Sequence, residues 1–187
     1  MFRVLATIAL WFALAAAPAR AGDYAAYANQ VINTLPEGVA FRPDLEAGLT
    51  ARASVYRRKK HRGALIASEQ LREAARAQAV DIMLLGRSGH RSRQGHTFAV
   101  RFKAFQEDKS KTYTAGENAA SDRRRGPADE TKAARLFQLW LDSSGHRQNL
   151  LDGRYRFVST GVVQRGSELW AVQIFWSGPV TTNFTFQ

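Results

Sequence analysis

The chain has 187 residues, no cysteine, and 27 Lys and Arg against 16 Asp and Glu, for a formal net charge of +11. Hydrophobic residues make up 45% and charged residues 23%, a globular composition that excludes a largely disordered chain. The missing cysteine excludes a disulfide scaffold, a thiolate zinc site and a Cys nucleophile, so a metal would need His, carboxylate or water ligands.

The first segment reads as an address. Arg3 supplies a positive start, residues 4–17 (VLATIALWFALAAA) carry no charge, and Ala19-Arg20-Ala21 is an A-x-A cleavage site. This is the plan of a secretory signal peptide over residues 1–21. The apolar run is shorter than the ~20 residues a membrane-spanning helix needs. We expect residues 22–43 to form an N-terminal helix and connector, and residues 44–187 to form one domain.

Residues 23–35 place Tyr24, Ala28, Val31 and Leu35 on one face and predict a short helix stopped by Pro36. A second helix is expected over about 44–62, with Asp44 as its N-cap and Gly63 at its end. The strongest periodic segment is SEQLREAARAQAVDIMLLG, capped by Ser68 and closed by Gly86, with Leu71, Ala75, Ile82 and Leu85 at helical spacing. Residues 87–95 are turn-like, and 97–105 read as a strand or a loop. Residues 129–143 predict a third firm helix with Ala133, Phe137, Trp140 and Leu141 inward, and 145–151 one further turn. At the end the period changes. Residues 157–164 and 168–176 are β-rich and separated by Arg165-Gly166-Ser167, a hairpin signal. Helices first and an antiparallel pair last give an α+β layout, with helices covering a sheet.

Three stretches put polar residues beside glycine at element ends: Ser88-Gly89-His90, Gly116-Glu117-Asn118, and Ser143-Ser144-Gly145-His146. Two histidines and a carboxylate suit a divalent metal or a general base. Satisfied structural hydrogen bonding is the alternative, because the intervals of 27 and 29 residues match no local metal motif. Asn118 reads as a structural hydrogen-bonder, Trp140 and Phe137 as core. Ser143 and Ser144, beside His146 at a helix end, suit C-terminal capping or turn formation better than nucleophilic attack.

The order of these pieces resembles the CAP superfamily, the cysteine-rich secretory protein, antigen 5 and pathogenesis-related 1 (SCP) domain, in its bacterial secreted form. The resemblance runs from about Ser54 to Trp176. It comprises LREAARAQAVDIM followed by His90, then GENAA at 116–120, WLDSSGHRQNLL at 140–151 and STGVVQRGSELWAVQIFW at 159–176. It implies an α-β-α sandwich with an antiparallel sheet, and a cavity lined by His90, Glu117 and His146. Those three residues are the implied catalytic candidates and the implied ligands of a divalent metal, zinc first among them. The second cavity acid of the family falls on Ser143, and the family's early asparagine-x-x-arginine pattern reads Ser54-x-x-Arg57. His61 and His96 match no cavity position.

The resemblance favours a binding module for a small apolar ligand such as a lipid, a metal or an envelope partner. A metal- or His/Glu-dependent hydrolase using the same cavity is the alternative. The basic runs 57–62 and 123–125, with Arg87, Arg91, Arg93, Arg101 and Lys103 between them, read as a solvated surface suited to an anionic membrane or envelope polymer. Nucleic acid ranks last among these partners, since no nucleic-acid motif accompanies the charge.

Overall fold

A computed structural model describes residues 21–178. The expected leader lies outside the described residues except for Ala21, its last position. Among the described residues no helix is long and apolar enough to cross a membrane.

The elements in chain order are α1 (Ala21–Asn33), β1 (Val39–Phe41), α2 (Pro43–Lys59), β2 (Ile66–Ala67), α3 (Arg72–Leu85), α4 (Phe98–Ala104), β3 (Ala115–Asp122), α5 (Glu130–Asp142), α6 (Ser144–Leu151), β4 (Phe157–Arg165) and β5 (Glu168–Trp176). The sheet runs β1-β4-β5-β3, with the two-residue β2 pairing parallel to β4 and every other pairing antiparallel. The hairpin expected at the end is present and forms the middle of the sheet. Its two-residue turn uses Gly166 at φ +57°, a left-handed conformation that favours glycine.

Each face of the sheet carries its own core, so the architecture is an α-β-α sandwich. On one face, Val163, Trp170, Val172, Ile174 and Trp176 pack with Tyr24, Tyr27, Leu71, Ile82 and Phe102 of the α1, α3 and α4 layer. On the other, Val158, Val162, Leu169, Ala171 and Phe175 pack with Leu45, Leu49, Leu136, Trp140 and Leu150 of the α2, α5 and α6 layer. Successive residues of β5 alternate between the two cores, as strand geometry requires. A buried carboxylate ties the layers together. Glu46 on α2 accepts both guanidinium hydrogen bonds of Arg76 on α3 at 2.8 Å, and the Val162 amide of β4 at 3.1 Å.

Helix α1 belongs to this core. Tyr24, Tyr27, Ala28 and Val31 are buried, and Tyr27 Oη donates to Asp81 Oδ1 of α3 at 2.5 Å. His96, which matches no cavity position of the resemblance, is also buried. It pairs with Ser92 Oγ at 2.9 Å and packs its ring against Tyr24 and Tyr27.

Several local expectations are corrected. Residues 97–105 are neither strand nor loop: Thr97 caps α4, its Oγ1 accepting the Val100 amide. Asp44 is not the N-cap of α2, because Pro43 takes the first helical position and moves the boundary to Arg42. Ser68 lies too early to cap α3, which starts at Arg72; its Oγ instead accepts the Gln70 amide in a local turn. Residues 144–151 extend to a full helix. The sequence also gave no sign that GENAA lies within a strand, β3, paired antiparallel with β5 over eight residue pairs.

Candidate functional site

The site forms at the edge of the sheet, because β3 is the outermost strand beside β5. Adjacent residues of a strand point to opposite faces, and β3 uses both. Glu117 reaches toward the α3–α4 side, where its Oε1 lies 2.9 Å from His90 Nδ1 and accepts from Arg101 Nη2 at 2.7 Å. Asn118 reaches toward the α6 side. Its Nδ2 donates to the His146 carbonyl at 3.1 Å, and its Oδ1 accepts from Asn149 Nδ2 at 3.0 Å. Asn149 Nδ2 also reaches the Glu117 carbonyl at 3.2 Å. Gly116 leaves room for this packing. A Cβ there would lie 2.6 Å from Tyr155 Oη and 2.7 Å from Asn149 Oδ1, so a larger residue would displace these two side chains of the α6 side.

These contacts bring the two imidazoles to the same edge, with ring centroids 6.4 Å apart at 67°. The His90 side chain is 54% exposed and that of Glu117 only 1%, so an open imidazole stands over a buried carboxylate. Burial alone would raise the Glu117 pKa. The Arg101 charge and the hydrogen bonds from His90 and Arg101 outweigh it and hold the carboxyl below its ordinary range. The hydrogen bond to Glu117 raises the pKa of His90 against burial and the Arg101 charge. His146 moves the other way, lowered by burial and then by the nearby His90 charge. Ser143 Oγ caps the N-terminus of α6 by accepting the His146 backbone N–H at 3.4 Å. The role is structural, though at the start of a helix rather than at the helix C-terminus or turn that the sequence suggests.

The model of the CAP family, described as the cysteine-rich secretory protein family, matches residues 51–175. The chain belongs to the CAP family. The Bacillus subtilis protein YkwD is 30% identical over 105 residues, covering 56% of this chain and 37% of YkwD. An extracellular SCP-domain protein of Bacillus anthracis superposes with a TM-score of 0.56 at 21% identity, over 73% of this chain and 44% of that one. An outer surface protein of Borrelia burgdorferi superposes at 0.60 and 17% identity, over 73% and 96%. This CAP chain therefore spans less than half the length of YkwD and of the Bacillus anthracis protein, and the solved structures establish the fold alone.

The metal implied by the CAP resemblance does not fit these side chains. Among the described residues, no three His, Cys, Asp or Glu side chains are grouped to hold an ion. Glu117 Oε1 is already shared by His90 and Arg101, and Oε2 is buried without a partner. Arg101 itself was misplaced by sequence reading, which put it in a solvated basic cluster; its side chain is fully buried and faces Glu117. The same correction applies to Arg57, which is buried at the head of the run 57–62. The Arg101 position could have been found only from α4, whose apolar neighbours Phe98 and Phe102 mark the face that packs inward.

A concavity of the CAP domain, about 530 Å³, lies between α2 and α5. Ala51, Val55, Tyr56, Phe137 and Leu141 line it, together with Lys59 and the Arg52–Glu130 ion pair. Its lining does not include His90, Glu117 or His146.

Proposed function

We propose that this protein is an exported CAP domain, cleaved near Ala21, that binds a small apolar ligand carrying an acidic group in the groove between α2 and α5. The observation that carries the reading is the lining of that groove. Val55, one of its lining residues, stays 41% exposed, and Lys59, the last residue of α2, offers a cation to an acidic head. Apolar walls with one or two placed polar groups are the usual composition of a small-molecule site. The exposed cations Arg58, Lys60 and Arg62 beside Lys59 suit an anionic membrane or envelope surface as the place where such a ligand is met.

The second reading, a hydrolase, is favoured by one feature: an exposed imidazole paired with a buried carboxylate can act as a general base. It lacks a side-chain nucleophile in place, since Ser143 Oγ accepts the His146 backbone N–H and has no hydrogen bond to a ring nitrogen among the described residues, so water would have to be the nucleophile. A titration of the mature protein with a fluorescent long-chain fatty acid separates the readings. Saturable binding, lost in Val55→Glu and kept in His90→Ala, supports the binding module. Absence of binding, together with peptide or ester hydrolysis that His90→Ala abolishes, overturns it in favour of the enzyme.

A further inference from the structure

We infer that Arg101 is the resident cation of the His90–Glu117–His146 site, doing there the charge-neutralising work of a divalent ion and excluding one. Three observations carry this. The guanidinium is fully buried and lies 2.7 Å from Glu117 Oε1, the one carboxylate oxygen that also meets His90. The same Nη2 donates to the His90 carbonyl at 3.2 Å, so one group fixes both the acid and the loop that presents the imidazole. Arg101 also stands with its Cζ 5.5 Å over the Phe98 ring of its own helix, a cation–π contact that helps hold the guanidinium in place.

The physical consequence follows from charge. An arginine stays protonated under all ordinary conditions. A buried carboxylate needs one compensating cation, and Glu117 has it before any ion arrives. A divalent ion sharing Glu117 would face a fixed positive charge across the width of one carboxylate, in a place where water screens little. The two imidazoles alone then offer the ion too few ligands for a closed site.

Arg101 is thus a positioning residue for Glu117 and His90, and its removal has an outcome that simple loss of packing does not produce. Taking away the guanidinium while keeping a similar apolar volume frees Glu117 Oε1 for a metal. The test is calorimetric titration of the mature protein with zinc, with the histidine imidazole resonances followed by NMR. Wild type is expected to show no stoichiometric zinc binding and no shift of the His90 and His146 resonances. Arg101→Met is expected to gain zinc affinity by about tenfold or more, a typical coupling between two sites. Arg101→Lys keeps the charge and is expected to stay closed to zinc. Stoichiometric zinc binding by wild type that perturbs both imidazoles overturns the inference. So does a folded Arg101→Met with no gain. Should Arg101→Met fail to fold, the wild-type and Arg101→Lys titrations still decide.

Discussion

Arg57 Nη1 donates to the carbonyl of Leu150 at 3.0 Å, across 93 residues of sequence. The same buried guanidinium donates to the carbonyls of Gly63, Asp152 and Tyr155, so it fastens the end of α2 to α6 and to the turn leading into β4. Burial lowers its pKa, as does the charge of Arg62, but an arginine does not release its proton at accessible pH. Replacing it leaves several buried carbonyls without donors. We expect Arg57→Met to cost about 3 kcal/mol or more in chemical denaturation. Arg57→Lys should recover only part of this, because one ammonium cannot span four acceptors.

Gly161 lets α3 press directly on β4. A Cβ at that position would lie 2.4 Å from the Arg76 amide nitrogen and 2.5 Å from the Ala75 carbonyl carbon, both backbone atoms. Gly161→Ala must therefore move a helix away from the sheet. The expected loss is about 3 kcal/mol, read as a fall in melting temperature of roughly 2–4 °C per kcal/mol.

Trp140 is fully buried on α5 among Phe137, Leu136 and Leu150. Trp140→Ala is expected to cost ~3–5 kcal/mol through the cavity it leaves. A guanidinium denaturation curve that coincides with wild type would refute the assignment.

The two site histidines should titrate in opposite directions from the ordinary value, His90 upward and His146 downward. The linkage signs follow. The raised His90 adds stability that is fully present below the ordinary histidine pKa and fades as pH rises through its folded value. The lowered Glu117 adds stability that is present above the ordinary carboxylate pKa and is lost as pH falls through its folded value. The pair is therefore held most firmly in the mildly acidic range between the ordinary carboxylate and ordinary histidine values, where both contributions are complete. Histidine NMR of Glu117→Gln should show the His90 pKa falling, since burial and the Arg101 charge then act unopposed.

Export is expected to remove residues 1–21. N-terminal sequencing of the secreted or periplasmic protein should begin at Gly22, one residue into the helix α1 that the structure describes.

Sequence periodicity disclosed α3, α5 and the closing hairpin because each is long and shows its inward residues at regular spacing. It could not disclose β3. AGENAASD is buried along almost its whole length, on both faces of a covered sheet, so apolar and polar residues do not alternate there. Helix α4 was hidden for a different reason: seven residues are too few to establish a period, and Arg101 looks like a surface residue until its carboxylate partner is placed. The motif order brought His90, Glu117 and His146 under suspicion. The contacts that shape their neighbourhood come from Asn149, Tyr155 and Arg101, and these depend on long-range packing.

The position of the closing hairpin also governs when the molecule can fold. β4 meets β1, β2 and β5, and β5 meets β3, so the two central strands are the last elements of the described chain. Every helix emerges before the surface it must cover, and the contacts that join them span much of the sequence. Such a topology folds slowly and late. A polypeptide threaded N-terminus first has no centre to condense upon until residue 176 has come through. Truncation anywhere in the hairpin would remove sheet surface from both layers at once.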